Sequence, residues 1–228
     1  MIKDIYLLGS TGSVGTTTLK IINKDKSRFN IKLLTTNRNV NKIYKQALEH
    51  NVKKIVIFDK EVQNKNLKKF KKKNIKVYST IQDALKKIKK KSFLTINAIS
   101  GIDGLEPSLN IIRYTKNFAT ANKESIICGW RFLNIECKKN KTNFIPLDSE
   151  HFSIWTLLKS ENQNLINKIY LTASGGPFLK RKLKNIKNIK PIQALKHPNW
   201  KMGKKITIDS ATMMNKIFEV IEASKIFD

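Results

Sequence analysis

Short apolar runs alternate with longer amphipathic stretches through the first half of the chain. Runs rich in β-branched residues lie at residues 5–8, 31–34, 55–58, 75–78 and 94–98. Stretches with helical spacing of apolar residues lie between them at 14–23, 40–50, 61–72 and 81–88, and a further strand at 118–120 precedes a helix over 123–137. Strands that alternate with helices form parallel sheets through right-handed crossovers. The pattern therefore predicts an α/β fold with a doubly wound, mostly parallel sheet of Rossmann type.

The pattern changes after residue 147. Glycines cluster there, and Pro177, Pro191 and Pro198 separate short apolar runs from polar segments. Irregular segments of this kind often carry binding and catalytic groups. We predict a nucleotide-binding Rossmann domain at residues 1–147 and a second, α+β domain at residues 148–228, in which a strand leads to Asp209.

The charge of the chain raises the hypothesis of a nucleic-acid-binding protein. Its 45 Lys and Arg residues exceed its 17 Asp and Glu residues, which gives a formal net charge of +28. Proteins that read nucleic-acid sequence rely on Arg for bidentate contacts, whereas most basic residues here are lysines, densest at 68–73 and 86–91 among abundant Asn and Ile. All three residue types have A/T-rich codons, so a biased genome explains the runs as solvated helix faces. Nucleic-acid binding remains an alternative.

The sequence indicates neither a membrane protein nor a disulfide-rich protein. No apolar run approaches the roughly 20 residues of a membrane-spanning helix, and the N-terminal segment reaches a glycine turn before any secretory signal can form. Cys128 and Cys137 make no disulfide framework, and the 3 histidines give no zinc signature. With 40% hydrophobic residues, the chain is expected to be a cytoplasmic protein with an apolar core and no targeting peptide.

A glycine-rich turn, GSTGSVG at residues 9–15, follows the first predicted strand and opens the first helix. Glycines at this point permit close approach of the backbone, and the helix N-terminus offers N–H groups to a pyrophosphate. The spacing Gly-x-x-Gly-x-x-Gly lacks the Lys-Ser/Thr ending of a Walker loop, which argues against an NTPase. We predict a dinucleotide site, with a purely structural turn as the alternative.

The end of the second strand indicates which dinucleotide is bound. NAD sites usually place Asp or Glu there for the ribose 2′-hydroxyl, whereas a basic residue suits the 2′-phosphate of NADP. The chain has Asn37, Arg38 and Asn39 at this position and no acid. NADP(H) is therefore the predicted cofactor.

Later segments are dense in functional groups, at residues 121–125, 148–151, 173–177 and 197–219. Within them, Asp148, Glu150, Asp209 and Glu219 lie in uncharged or apolar surroundings, away from the lysine runs. Carboxylates without cysteine favour Mg²⁺ or Mn²⁺ over zinc, and the neighbouring Ser, Asn, Lys and His side chains are types that hold a phosphate. Helix capping by Asp148 and an exposed Lys–Glu helix pair are the structural alternatives.

Six sequence blocks occur in an order that resembles one enzyme family. They are GSTGSVG at 9–15, ANKES at 121–125, LDSEH at 147–151, SGGPF at 174–178, HPNW at 197–200 and DSATMMNK at 209–216. By these blocks the chain resembles the 1-deoxy-D-xylulose 5-phosphate reductoisomerases. The resemblance implies NADPH- and metal-dependent conversion of 1-deoxy-D-xylulose 5-phosphate to 2-C-methyl-D-erythritol 4-phosphate, by rearrangement to an aldehyde and then hydride reduction, in non-mevalonate isoprenoid synthesis.

The resemblance also implies roles for individual residues. The implied metal ligands are Asp148, Glu150 and Glu219, for Mg²⁺ or Mn²⁺ with Co²⁺ as a further alternative. The implied catalytic residues are Lys123, Glu150, His151, His197 and Trp200, the last on a flap that closes over the substrate. The implied substrate contacts are Lys123, Ser149, Glu150, Ser174, His197, Ser210, Asn215, Lys216 and Glu219. The implied cofactor contacts are Thr11, Gly12, Ser13, Val14, Asn37, Arg38, Asn39, Asn122, Glu124 and Gly203.

The chain differs from the family at its C-terminal end. Family members continue beyond the position of Asp228, through the rest of the catalytic domain and a C-terminal helical domain, so we expect an incomplete second domain here. The complete enzyme is expected to be a homodimer that acts on a phosphorylated sugar, with neither a membrane nor a specific nucleic acid as partner. Two hypotheses therefore stay open: an active reductoisomerase, and a partial chain that binds NADPH without turnover.

Overall fold

The computed structural model describes residues 2–88, 90–160, 166–200 and 203–227. The chain divides into two compact units, Met1–Asp148 and Ser149–Asp228. In the described part of the first unit, parallel strands form one sheet: β1 (Lys3–Leu8), β2 (Phe29–Thr36), β3 (Lys54–Ile57), β4 (Lys76–Tyr78), β5 (Ser92–Asn97), β6 (Thr115–Thr120) and β7 (Asn143–Pro146). Across the described residues, no helix has the length and hydropathy needed to cross a bilayer.

The strand order in the sheet is β4-β3-β2-β1-β5-β6-β7. The helices that connect the strands are α1 (Ser13–Asn23), α2 (Val40–Glu49), α3 (Lys60–Lys71), α4 (Ile81–Leu85), α5 (Leu105–Ile112) and α6 (Lys123–Lys139). The order reverses beside β1, and open α/β sheets bind ligands at the carboxyl ends of the strands at such a switch point. The predicted doubly wound Rossmann sheet is therefore confirmed, with its switch point beside the glycine turn.

Two apolar clusters cover the two faces of the sheet. In β1, Ile5 and Leu7 belong to one cluster, whereas Tyr6 and Leu8 belong to the other, and all four are at most 2% exposed. Successive strand residues point to opposite faces, so β1 is buried on both sides, as is usual in parallel sheets. This burial fixes the register of the central strand and holds the turn that follows it.

Helix α5 fills the connection between β5 and β6, where the sequence pattern predicts no helix. The helix is short, and Pro107 lies in its first turn. Proline is tolerated there because the N–H it lacks has no partner within the helix. The presence of Pro107 therefore does not exclude a helix at this place in the sequence.

The described elements of the second unit are helical: α7 (Ser149–Ser160), α8 (Pro191–Ala194), α9 (Lys204–Ala211) and α10 (Met214–Phe227), with 3₁₀ turns at Gly176–Phe178 and Leu183–Asn188. The predicted strand before Asp209 was wrong, because these residues form α9. A short β-branched run does not by itself distinguish a strand from a helix, and the N–H and hydroxyl of Thr207 both donate to the Gly203 carbonyl. Strands of an α+β domain do not occur among the described residues of this unit.

Candidate functional site

The glycine turn joins β1 to α1 with a backbone that requires glycine. Gly9 has a φ of +70°, and a Cβ there would lie 2.7 Å from the Ala98 carbonyl oxygen. A Cβ on Gly15 would lie 2.4 Å from the Gly9 carbonyl oxygen, so the missing side chain lets α1 approach the turn. Gly12 precedes α1 without a side-chain cap. The first N–H groups of α1 can therefore serve a ligand.

A cavity of about 1120 Å³ lies against this turn, within the first unit. Its lining comes from the carboxyl ends of several strands and includes Thr11, Gly12, Thr36 and Asn37. The Thr11 hydroxyl lies 2.9 Å from the Thr36 hydroxyl, which ties the turn to the end of β2. This volume is large enough for a dinucleotide cofactor. The predicted contacts Ser13 and Val14 are exposed in the first turn of α1.

Arg38, after the end of β2, is bound by an acid that follows β3. Its Nε donates to Asp59 Oδ2 at 2.7 Å, while 77% of the Arg38 side chain stays exposed. The Val62 N–H donates to Asp59 Oδ1 at 3.0 Å. This bond, and then the Arg38 guanidinium, hold the pKa of Asp59 below its usual value. Asp59 thus holds one edge of a guanidinium whose exposed remainder is able to bind an anion.

Two of the predicted cofactor contacts cap helices. Asn39 is the N-cap of α2, and Asn122 is the N-cap of α6. The Asn122 amide also donates to the carbonyls of Ile99 at 2.6 Å and Gly101 at 2.7 Å, and the residue is 2% exposed. Asn122 therefore holds the loop after β5. Glu124 lies in the first turn of α6, and direct contact of these residues with a cofactor stays a prediction.

Lys123 and Asp148 form an ion pair at the end of the first unit. Lys123 begins α6, and Asp148 follows β7. Their side chains are 13% and 19% exposed, so the pair is only partly screened by water. A predicted substrate contact and a predicted metal ligand therefore lie together in this unit.

In the second unit, α7 and α10 bring two predicted metal ligands together. Carboxylate oxygens of Glu150 and Glu219 lie within 4.8 Å of one another. Lys216 lies 3.5 Å from Glu150 Oε1 and forms an ion pair with Glu219, which is 2% exposed at its side chain. The Asn215 amide also donates to Glu219, and the Ser149 hydroxyl donates to Glu150 at 2.6 Å. Two carboxylates that share one ammonium keep a net negative charge, which suits a divalent cation.

His151 is placed inside the second unit, between the same two helices. The residue is fully buried, and its Nε2 lies 2.9 Å from the Glu219 carbonyl oxygen. Its Nδ1 lies 3.9 Å from a carboxylate oxygen of Glu222, which is 1% exposed. These contacts hold α7 against α10 beside the two carboxylates, and a catalytic role for His151 stays a prediction.

A loop of the second unit joins Ser174 to His197. The backbone N–H groups of Asn199 and Trp200 both lie within hydrogen-bond distance of His197 Nδ1, at 3.1 and 3.0 Å. Nδ1 therefore accepts, and a neutral ring carries its proton on Nε2, which lies 3.2 Å from the Ser174 hydroxyl. Trp200 is 65% exposed, and its place on a flap over the substrate stays a prediction. Lys201 and Met202 lie outside the described residues.

Ser210 lies next to the same loop. Gly176 has a φ of +67°, and a Cβ there would lie 2.6 Å from the Ser210 carbonyl oxygen, so glycine permits this close approach. Ser174 and Ser210 are thereby held in one part of the second unit. Gly203, predicted to contact the cofactor, is the exposed N-cap of α9 in this unit. A cavity of about 550 Å³ along α7 has a largely apolar lining that includes Ser149 and Glu150 but not Ser174, His197 or Ser210.

Two contacts at the glycine turn are not predicted by the sequence pattern. Gln46 on α2 exchanges hydrogen bonds with Ser10, and the Lys42 ammonium donates to the Thr11 carbonyl at 2.8 Å. The sequence does carry one indication of the Gln46 contact. Gln46 follows Ile43 by three residues, on the apolar face of α2. A polar side chain on such a face usually has a buried partner.

Comparisons with known proteins point to one enzyme family. The model of the 1-deoxy-D-xylulose 5-phosphate reductoisomerase family matches residues 5–129, and the model of that enzyme's C-terminal domain matches residues 144–227. The reductoisomerase of Pelagibacter ubique (strain HTCC1062) is 53% identical over 229 residues, which cover 99% of this chain. This chain spans 59% of the length of that relative.

Solved structures of 1-deoxy-D-xylulose 5-phosphate reductoisomerases have a fold similar to that of this chain. The Zymomonas mobilis reductoisomerase in complex with NADPH has a TM-score of 0.86 at 34% identity, over 100% of this chain and 59% of its own. A crystal structure of DOX-P reductoisomerase with NADPH, fosmidomycin and magnesium has a TM-score of 0.84 at 32% identity, with the same coverage. The chain therefore belongs to the 1-deoxy-D-xylulose 5-phosphate reductoisomerase family.

Proposed function

We propose that this chain supplies the cofactor and metal residues for NADPH- and metal-dependent conversion of 1-deoxy-D-xylulose 5-phosphate to 2-C-methyl-D-erythritol 4-phosphate. The observation that carries the proposal is the convergence of Glu150 and Glu219 on Lys216, in a chain that also has a Rossmann unit with a glycine turn. We further propose that the enzyme works in the cytoplasm as a homodimer, and that Mn²⁺ can replace Mg²⁺.

The first unit fits the dinucleotide. The uncapped start of α1 faces a cavity large enough for NADPH, and Arg38 offers a cation where an NAD site has an acid. When bound, NADPH supplies the hydride for the reduction. Residues of the turn and of the β2 end would hold it: Thr11, Gly12, Ser13, Val14, Asn37, Arg38 and Asn39.

The carboxylates fit a hard divalent cation. Glu150 and Glu219 present oxygens within 4.8 Å of one another, and oxygen donors without thiolates suit Mg²⁺ or Mn²⁺. We propose that Asp148, two residues before Glu150 in the chain, is the third ligand. A bound ion polarises carbonyl and hydroxyl oxygens as a Lewis acid. Lys216, which pairs with both carboxylates, would then be able to hold a substrate oxygen.

Polar groups of the second unit fit a phosphate. The His197 ring that accepts at Nδ1 presents an N–H toward Ser174, and both groups are able to donate to phosphate oxygens. Ser210 and Asn215 would add a hydroxyl and an amide. The exposed Trp200 would cover the bound substrate and exclude water from the aldehyde.

Equilibrium binding separates the proposal from its alternatives. The purified chain is expected to bind NADPH, followed by cofactor fluorescence, and Mg²⁺, followed by calorimetry. Failure to bind NADPH would overturn the cofactor half of the proposal. Binding of NADPH without any Mg²⁺ site would favour the partial chain that binds only the cofactor. Tight association with nucleic acid that falls steeply with salt would favour the basic-protein alternative.

The variant Arg38→Leu is expected to weaken NADPH binding about 10- to 100-fold and to leave NADH binding nearly unchanged. A hydrogen bond to a charged group contributes about 1.5–3 kcal/mol, and only NADPH has the 2′-phosphate. The matched control is Arg28→Leu, since Arg28 is also an exposed arginine paired with an aspartate. Dissociation constants for both cofactors check the prediction, and an equal loss for NADPH and NADH would contradict it.

A further inference from the structure

One face of α2 holds the backbone of the glycine turn. Gln46 Nε2 donates to the Ser10 carbonyl at 2.9 Å, and the Ser10 hydroxyl donates to Gln46 Oε1 at 2.8 Å. Ser10 is fully buried, and Gln46 is 7% exposed. One helical turn earlier, the Lys42 ammonium donates to the Thr11 carbonyl at 2.8 Å. Two successive carbonyls of the turn are therefore fixed by one helix.

Fixing these carbonyls also directs the N–H groups of the same peptides. In a trans peptide the C=O and N–H point in opposite directions. Because the Ser10 carbonyl points to Gln46, the Thr11 N–H points away from α2. Thr11 and Gly12 line the cavity of the first unit, and the Gly12 N–H donates back to the Gly9 carbonyl at 3.1 Å, which closes the turn.

We propose that Gln46 is a positioning residue for the cofactor pyrophosphate, with Lys42 as its partner on α2. The inference rests on the proposed NADPH function and adds residues that do not themselves line the cavity. A buried amide with two reciprocal hydrogen bonds sets one orientation of the turn, whereas an apolar residue of similar size would fill the space without setting it. Gln46 thus affects the pyrophosphate end of the cofactor and not the 2′-phosphate end, which Arg38 serves.

The test compares NADPH with adenosine 2′-phosphate, which has the 2′-phosphate but no pyrophosphate. In the full chain, Gln46→Leu is expected to weaken NADPH binding at least about tenfold, the equivalent of one or two hydrogen bonds. Binding of adenosine 2′-phosphate, and the ratio of NADPH to NADH affinity, should change less than about twofold. A loss of fold stability alone would not produce this difference between the two ligands.

Two further variants keep the test decisive. Ile43→Val removes a methyl group from the fully buried side chain one turn before Gln46, so it lowers stability without touching Ser10, and NADPH affinity should be retained. Lys42→Met removes the bond to Thr11 without opening the interior and should weaken NADPH binding about threefold or more, again with little effect on adenosine 2′-phosphate.

The outcomes distinguish this inference from the proposed function. Wild-type protein that does not bind NADPH would contradict the proposed function and the inference with it. Wild-type protein that binds NADPH, together with Gln46→Leu and Lys42→Met variants that bind it equally well, would contradict only the positioning role. Equal weakening of NADPH and adenosine 2′-phosphate would also overturn the role, because it would indicate general disruption of the unit.

Discussion

Replacing Glu150 with glutamine is expected to lower Mg²⁺ affinity by more than about 100-fold and to abolish metal-dependent turnover. The glutamine amide keeps the size of the side chain but removes one of the negative charges that attract the ion. Loss of a group that only supports a metal ligand typically costs about 10- to 100-fold in affinity, and loss of a ligand itself should cost more.

Glu150 is a better test residue than Glu219. The Glu150 side chain is 31% exposed, whereas that of Glu219 is 2% exposed and ion-paired with Lys216. Breaking a buried ion pair destabilises a fold by about 3–5 kcal/mol, so a Glu219 variant would confuse metal binding with folding. Lys216 keeps its partner Glu219 when Glu150 is changed.

Glu136→Gln is the matched control for this experiment. Glu136 is also 31% exposed at its side chain and lies 3.9 Å from a lysine ammonium, that of Lys139, but it belongs to α6 in the first unit. Calorimetry with Mg²⁺ should show wild-type affinity for the control and lost affinity for Glu150→Gln, with NADPH affinity unchanged in both. Wild-type Mg²⁺ affinity in Glu150→Gln would remove Glu150 from the proposed metal site.

The second large effect is expected at the glycine turn. A Cβ on Gly15 would lie 2.4 Å from the Gly9 carbonyl oxygen and 2.6 Å from the Ser10 Cα, and neither backbone atom can move aside cheaply. Gly15→Ala should therefore force α1 away from the turn. We expect a loss of about 1–3 kcal/mol in the free energy of unfolding and at least about tenfold weaker NADPH binding.

Gly12→Ala is expected to separate binding from folding. A Cβ on Gly12 would meet only the Gly9 carbonyl oxygen at 3.5 Å and the Ala98 carbonyl oxygen at 3.8 Å, which are ordinary contacts. Gly12 lines the cavity, so its methyl group would occupy space that the pyrophosphate needs. Thermal unfolding and NADPH titration check both variants. NADPH affinity at the wild-type level in Gly12→Ala would place the pyrophosphate elsewhere.

The inner strands β1, β2 and β3 are predictable from the sequence because most of their residues are buried. Each run of β-branched residues ends at turn residues, and the spacing between runs leaves room for one helix. The prediction fails where local signals are weak or mixed. Helix α5 contains Pro107, which weakens the helical signal. Helix α9 contains Ile206 and Ile208, which are both exposed, so their spacing does not mark a buried helix face.

The types of residue at the candidate site are predictable, whereas their partners are not. The absence of an acid after β2, which indicates NADPH, is visible in one short segment. The hydrogen bond from Arg38 to Asp59 is not, because it joins residues 21 positions apart. The contact of Gln46 with Ser10 joins residues 36 positions apart. Such contacts depend on which strands become neighbours in the sheet, and local periodicity does not contain that information.

The most direct test of the proposed function is NADPH consumption by the purified chain, with 1-deoxy-D-xylulose 5-phosphate and Mg²⁺ omitted in turn. We expect loss of NADPH absorbance only when both are present, and none with Glu150→Gln. A chain that binds NADPH but consumes none of it under any combination of substrate and metal would contradict the proposal for this chain.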